Sequence, residues 1–398
     1  MRKVYLDYNA TTPIHPEVLD AMLPYFKNVY GNPSSVHSFG QETRKAIEDA
    51  REEVAKFLGA ENPSEIVFTS CGTESNNYAV KGTAFALKNR GNHIITSKIE
   101  HHAVLEVCHY LEKQFGYEVT YIPVDKYGIV KSEDVKNAIT DKTILISIMH
   151  INNEVGTIQP IEEIAKIANE KKIVFHTDAV QSTGKIPIDV KKVGVDLLSL
   201  SGHKFYAPKG IGAIYIKKGT KLHSLLHGGH HEKNRRAGTE NVPYIIGLAK
   251  ALKIAYQDMK NESKRILELR QKLENGVIKK IEYTQLNGHP EKRIYNTCNI
   301  SFSYIEGEGI LMSLDLEGFA AATGSACTSG TLEPSHVLSA MKIPPVVAQG
   351  SIRFSLGHYT TEKDIDALLE ILPKIVERLR SISPLWEDRL KTEIRDKR

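Results

Sequence analysis

Between residues 65 and 216 the chain alternates short β-branched apolar runs with longer amphipathic stretches, and few architectures accept that pattern. Strands are predicted over Glu65–Thr69, His93–Thr96, Tyr117–Val124, Thr143–His150, Ile173–His176, Asp196–Leu200 and Gly212–Ile216. Helices are predicted over Thr73–Lys88, His102–Phe115 and Pro160–Glu170, the last with Pro near its start. Apolar strands separated by helices imply an α/β domain with a mostly parallel sheet. In such sheets ligand chemistry collects in the loops beyond the carboxyl ends of the strands.

After Asn241 the pattern changes to one long helical stretch reaching about Lys280, with few breakers apart from Pro243 and Gly247, which reads as a bridge between domains. Strands over Cys298–Ser303, Phe319–Ala322 and Ser351–Leu356 and helices near Glu308–Leu314 and Thr361–Arg380 then form a smaller α+β unit. The 398 residues carry 52 basic and 48 acidic side chains, a net charge of +4 with no domain-wide basic excess, so no direct nucleic-acid role is expected. The Lys171-Lys172, Lys191-Lys192 and Lys217-Lys218 pairs read as solvated surface. Four cysteines, Cys71, Cys108, Cys298 and Cys327, form no CxxC pair, which argues against a zinc finger or a thioredoxin-like motif. They read as reduced thiols. The opening MRKVYLDYNATTP has no apolar core of a secretory signal, and no apolar run is long enough to span a bilayer. A cytoplasmic protein without membrane contact is the expectation.

Several predicted strand ends carry chemistry. His176-Thr177-Asp178 ends one strand, where Asp178 suits either a ligand or a helix N-cap. Ser201-Gly202-His203-Lys204 follows another, and a lysine there either reaches the crevice or lies on the surface. Together they fit pyridoxal phosphate, which needs a lysine to carry it and an acid to keep its ring nitrogen protonated. Ser70-Cys71-Gly72-Thr73 opens a helix whose N–H groups and Thr73 hydroxyl could meet a phosphate, or Thr73 simply caps it. Ser201 and His203 are further phosphate donors. Glu100-His101-His102 offers a stacking or acid/base histidine, or a surface pair, and His150 to Glu154 adds amides.

With these residues placed, the chain closely resembles the cysteine desulfurases of the NifS/IscS type, pyridoxal-phosphate enzymes of the class-V aminotransferase family with the aspartate-aminotransferase fold. The resemblance is carried by YLDYNATTP, GNPSSVH, TESNN, EHHAVLE, SIMHINNEVGTIQP, HTDAVQSTGKIPID, SLSGHKFYAPKGIGA, AGTEN, TGSACTSG and SIRFSLG, in that order along essentially the whole chain. It implies fold type I: a large α/β domain over 14–255, with a mainly parallel seven-stranded sheet flanked by helices, and a smaller α+β domain from 1–13 and 256–398.

The resemblance also assigns roles. Lys204 matches the cofactor-carrying lysine, Asp178 the partner of the ring nitrogen, Gln181 the partner of the ring hydroxyl, and His101 the stacking, acid/base histidine. Thr73, Ser201 and His203 match the phosphate ligands. Thr239 matches a threonine that reaches the neighbouring subunit's phosphate, which implies a homodimer. Asn153 and Arg353 match the residues that hold the substrate carboxylate, and Asn153 also faces the cofactor. A guanidinium suits that task because it grips carboxylates bidentately. Cys327, in the small-residue loop Thr323 to Gly330, matches the nucleophile that takes sulfur from L-cysteine as a persulfide and passes it to an acceptor protein for iron–sulfur assembly or tRNA thiolation. Cys108 and Cys298 are expected to be buried and inert. No metal is expected.

Two positions depart from the usual pattern. The phosphate loop reads Ser-Cys-Gly-Thr where Ser-Gly-Ala-Thr is common, and His230 replaces a third glycine in His227-Gly228-Gly229-His230-His231. A selenocysteine lyase or an aminotransferase would use the same scaffold, but an aminotransferase has no use for a loop thiol.

Overall fold

The computed structural model describes residues 3–323 and 335–387. Its strands in chain order are β1 (Val4–Tyr5), β2 (Ile66–Thr69), β3 (His93–Ser97), β4 (Glu118–Ile122), β5 (Thr143–Ser147), β6 (Val174–Asp178), β7 (Leu197–Ser201), β8 (Gly212–Ile216), β9 (Thr284–Asn287), β10 (Thr297–Phe302), β11 (Phe319–Ala320) and β12 (Ser351–Ser355). Seven of them form the central sheet in the order β2-β8-β7-β6-β5-β3-β4. The pairs β7/β6, β6/β5, β5/β3 and β3/β4 are parallel, and β8 runs antiparallel to both of its neighbours.

Every residue of β3, β5, β7 and β8 is buried, so these strands read as continuous apolar runs rather than alternating ones. β4, at the edge, shows mostly partly exposed positions, and Val174 at the start of β6 is also partly exposed. Some of the polar side chains inside the sheet satisfy one another. His176 bridges β5 and β7, with Nδ1 2.8 Å from Ser147 Oγ and Nε2 3.0 Å from Ser199 Oγ. Complete burial pushes its pKa down to about 3, so the ring is neutral.

Most predicted elements are present within a residue or two. The predicted Thr143–His150 strand leaves the sheet after Ser147, which delivers residues 148–153 to the crevice. The Pro16–Lys27 and Ser38–Leu58 helices lie outside the sequence-predicted pattern. The second is amphipathic, buries Ile47, Ala50, Val54 and Leu58, and ends on Gly59 in the left-handed conformation (φ 69°).

The core has two main apolar clusters. The larger covers one side of the sheet and takes in Val18, Phe68, Ile146, Phe175, Leu200 and Leu248. The other joins Leu6, Leu273, Ile300, Phe354 and Leu368 around the three-stranded sheet β12-β10-β9. The 39-residue Val242–Lys280 helix contributes to both, through Ile245–Leu252 and Ile266–Val277. Val337, Leu338 and Met341 pack in the larger cluster although they come from late in the chain. Among the described residues no helix is long and apolar enough to cross a membrane.

Candidate active site

The carboxyl edge of the sheet gathers most of the predicted residues. Asp178, the last residue of β6, is 5% exposed. Its Oδ2 accepts from Asn76 Nδ2 at 2.6 Å and its Oδ1 accepts from the Val180 N–H at 2.9 Å. It therefore caps the following turn and faces the Gly72–Leu87 helix at once. Lys204 ends the short turn of 3₁₀ helix (Gly202–Lys204) that follows β7. Its Nζ donates to the backbone oxygens of Asn9 and Ala10, both at 2.7 Å. The N-terminal segment thus lies across the site, and Thr12 Oγ1 ties it down by donating to the His203 carbonyl at 3.1 Å.

His203 Nδ1 lies 3.1 Å from Thr11 Oγ1. Burial, then the neighbouring charge of Lys204, pushes the ring down to about 4, so it is neutral. Burial also lowers His101, against the pull of Asp178. His101 caps the His102–Phe115 helix, its Nδ1 accepting the Ala103 N–H at 3.0 Å. With Nδ1 used as an acceptor, the neutral ring carries its proton on Nε2.

At the start of the Gly72–Leu87 helix the Ser201 hydroxyl is buried and has no hydrogen-bond partner. Gly72 stands over it: a Cβ there would come 3.2 Å from Ser201 Cβ and 2.9 Å from Val180 Cγ2. Thr73 is exposed on the first turn. Cys71 is the N-cap, its Sγ accepting the Glu74 N–H at 3.4 Å, which gives the departing Ser-Cys-Gly-Thr sequence a structural use.

On the opposite side, Arg353 is buried on β12. Its Nη2 meets Asp7 Oδ1 at 2.8 Å, its Nη1 donates to the Asn153 carbonyl at 3.1 Å, and its Nε is buried with no partner. Gln181 lies between the two sides, its Nε2 donating to the Asn9 carbonyl at 2.9 Å.

Two residues are not brought into this cluster. Thr239 is exposed and lines a surface cavity with Ser70, Arg236 and Gly238. Cys327 lies outside the described residues, as does the rest of its loop from 324 to 334. Cys108 and Cys298 are fully buried, and burial raises both thiols far above their ordinary value. The His227–His231 segment is turned mainly to solvent, with His230 Nδ1 2.5 Å from Asn234 Oδ1, and no group of three or more His, Cys, Asp or Glu among the described residues is placed to hold a metal.

The aminotransferase class-V family model matches residues 4–368. The chain is 59% identical over 387 residues to a cysteine desulfurase IscS from Dictyoglomus turgidum, covering 97% of this chain and 98% of the relative. The chain belongs to the cysteine desulfurases of the class-V aminotransferase family. Among solved structures, a NifS-like protein superposes with a TM-score of 0.90 at 42% identity, covering 95% of this chain and 100% of its own. A structure described as SspA in complex with cysteine superposes with a TM-score of 0.81 at 39% identity, covering 90% and 100%.

The cofactor of this family is pyridoxal 5'-phosphate. The residues of this desulfurase site fit it. The orphaned Ser201 hydroxyl, the close-approach Gly72 and the open first turn of a helix form an anion cradle. A buried carboxylate at Asp178 and an amine at Lys204 complete the donor set.

Four participants carry no individual assignment from the sequence, although each falls in a family motif. Asn76 holds Asp178. Asp7 holds Arg353. Asn9 supplies the carbonyl shared by Gln181 and Lys204. Glu100 is fully buried, accepts from Ser97 Oγ at 2.5 Å and the Met149 N–H at 3.0 Å, and is pushed up to about 8 by burial. The only signal for these four is a polar residue inside a motif, with no spacing to reveal its partner.

Proposed function

We propose that the protein converts L-cysteine to L-alanine and carries the sulfur away as a persulfide on Cys327, using pyridoxal 5'-phosphate. The observation that carries this reading is the convergence of Lys204, Asp178 and the unpartnered Ser201 hydroxyl at one sheet edge, in a chain alike over nearly its whole length to a cysteine desulfurase.

The bound cofactor supplies an electron sink for charge developing at the substrate Cα. Asp178, fixed by Asn76 and the Val180 N–H, holds the proton at the ring nitrogen. Gly72, Thr73, Ser201 and His203 hold the phosphate, and Thr239 does so across a homodimer interface. His101 stacks on the ring and offers its Nε2 proton. Arg353 and Asn153 orient the substrate carboxylate, with Arg353 steadied by Asp7. The Lys204 amine takes the Cα proton.

The Cys327 thiolate attacks the substrate sulfur: an S–S bond forms, the substrate C–S bond breaks, and its electron pair passes to carbon, which gains a proton to give alanine. The persulfide then passes to an acceptor protein serving iron–sulfur assembly or tRNA thiolation, in a reducing, cytoplasmic setting that keeps Cys327 a thiol. The division into domains at 14–255 and at 1–13 with 256–398 is part of the same reading, supported by the two apolar clusters.

The test is Cys327→Ser. The variant is expected to keep the visible absorption of the bound cofactor and to stop releasing alanine from cysteine. Undiminished alanine release would overturn the role of Cys327.

A further inference from the structure

Lys185 is a buried cation with no part in the chemistry above. It lies on the turn after β6 and is 8% exposed. Its Nζ donates to Gln181 Oε1 at 2.7 Å. The nitrogen of the same amide donates to the Asn9 carbonyl at 2.9 Å, and that carbonyl also receives Lys204 Nζ at 2.7 Å. A continuous relay therefore runs from Lys185 through Gln181 and Asn9 to Lys204.

The far end of the relay is fixed. The Asn9 N–H donates to Ser355 Oγ at 2.9 Å, Asn9 Nδ2 donates to Thr297 Oγ1 at 2.8 Å, and Asn296 Nδ2 donates to Asn9 Oδ1 at 3.1 Å. The near end is chemically one-sided. In its charged form, which prevails below about pH 7, the Lys185 ammonium donates and does not accept, so it takes the oxygen edge of the Gln181 amide and turns the nitrogen edge away. That nitrogen has two hydrogens. One meets Asn9, and the other is available to an acceptor in the site.

A lysine is costly to bury, and burial is the largest influence lowering this one, to about 7, followed by the charges of Lys204 and Arg353. Other charged or titratable groups around Lys185 and Lys204 include His203, Lys209, His101 and Asp178 beside the sheet, Asp258 and Glu262 on the Val242–Lys280 helix, and Tyr8, His15, Tyr206, Tyr295 and His358, which line the same cavity.

We propose that Lys185 is a positioning residue that locks the Gln181 amide with its nitrogen edge toward the ring oxygen of the cofactor, making residue 181 a donor there. The inference rests on the reading that Gln181 faces that oxygen. A donor on the ring oxygen draws electron density from it and lowers the basicity of the adjacent cofactor-bound Lys204 nitrogen. Loss of the lock therefore raises the pH at which that nitrogen loses its proton.

The test is a double-variant cycle on the holoenzyme with Lys185→Met, Gln181→Ala and the pair. The readouts are the pH midpoint of the visible band and the cofactor dissociation constant of the cofactor-free protein. Each single variant is expected to raise the midpoint by about one pH unit and to weaken cofactor binding. The double variant is expected to shift by clearly less than the sum. A Gln181→Ala midpoint equal to that of the parent removes the underlying reading of Gln181. A shift in Gln181→Ala with none in Lys185→Met overturns the proposal for Lys185. So does a fully additive double variant, which would mean that Lys185 acts without Gln181. Should Lys185→Met fail to accumulate as folded holoenzyme, Lys185→Gln takes its place with the same sign expected, because a glutamine amide no longer forces one orientation.

Discussion

Two corners of the site are built on opposite terms. Around Asn9, Asp7, Gln181 and Arg353 most polar atoms have protein partners, drawn from four separate stretches of chain. Around Gly72 and Ser201 the cradle is left unsatisfied: the Ser201 hydroxyl and Asn76 Oδ1 are buried without a partner. Buried polar groups without partners cost stability. They persist where a ligand will complete them, whereas the paired corner holds its side chains still before any ligand arrives. The Arg353 Nε, buried without a partner inside the paired corner, is the exception.

Lys204→Ala removes the group that both corners serve. It is expected to abolish the visible band of the lysine-bound cofactor and to cut turnover by about 10²–10⁴-fold, the usual worth of a positioned acid/base; absorption spectra and alanine release measure both. Arg353→Ala strikes the paired corner. A charge-assisted contact to a carboxylate is worth about 1.5–3 kcal/mol, so the Michaelis constant for cysteine is expected to rise roughly ten- to hundredfold. An unchanged constant would remove Arg353 from the carboxylate site.

The contrast between the corners is sharpest in the cofactor-free protein. Asn9→Ala is expected to lower its stability by about 1–3 kcal/mol, because it strands buried partners. Ser201→Ala is expected to leave that stability unchanged or slightly higher while weakening cofactor binding about tenfold. Equal destabilisation by the two would erase the distinction; urea unfolding and cofactor titration decide it.

The smallest effect concerns Glu100. Its folded pKa near 8 lies above its ordinary 4.5, so the folded protein keeps a proton that the unfolded chain releases. Its contribution is fully present below about 4.5 and is lost as pH rises toward 8, at up to about 1.4 kcal/mol per pH unit. Glu100→Gln should therefore lose less melting temperature than the parent between pH 6.5 and 8, a range above the window where the buried His150 and His176 lose stability on acidification.

The sheet was legible because its strands are buried on both faces and separated by strongly periodic helices. Lys204, Asp178 and His101 were legible because strand ends are where such sheets do chemistry. Asp7, Asn9 and Asn76 were not, because each acts through a partner far along the chain: Asn9 meets Thr297 across 288 positions and Asp178 meets Asn76 across 102. Nothing in local spacing encodes such pairs. The Pro16–Lys27 helix escaped notice for a different reason. It buries only Val18 and Met22 and leaves Leu19, Leu23 and Phe26 exposed, so its apolar residues do not form one inward stripe.

The Val242–Lys280 helix has a mechanical consequence. Its buried residues fall in two groups, ending at Leu252 and resuming at Ile266, and the intervening thirteen positions bury nothing. At 1.5 Å per residue the helix is about 58 Å long. It is an axle gripped at both ends and only half-covered in the middle, where Ile254 and Tyr256 lean on the larger cluster and Arg265 donates to the Thr360 and His358 carbonyls. Each residue added to or removed from this middle span would turn one grip against the other by about 100°. The length of that span helps fix how the two apolar clusters are turned against one another.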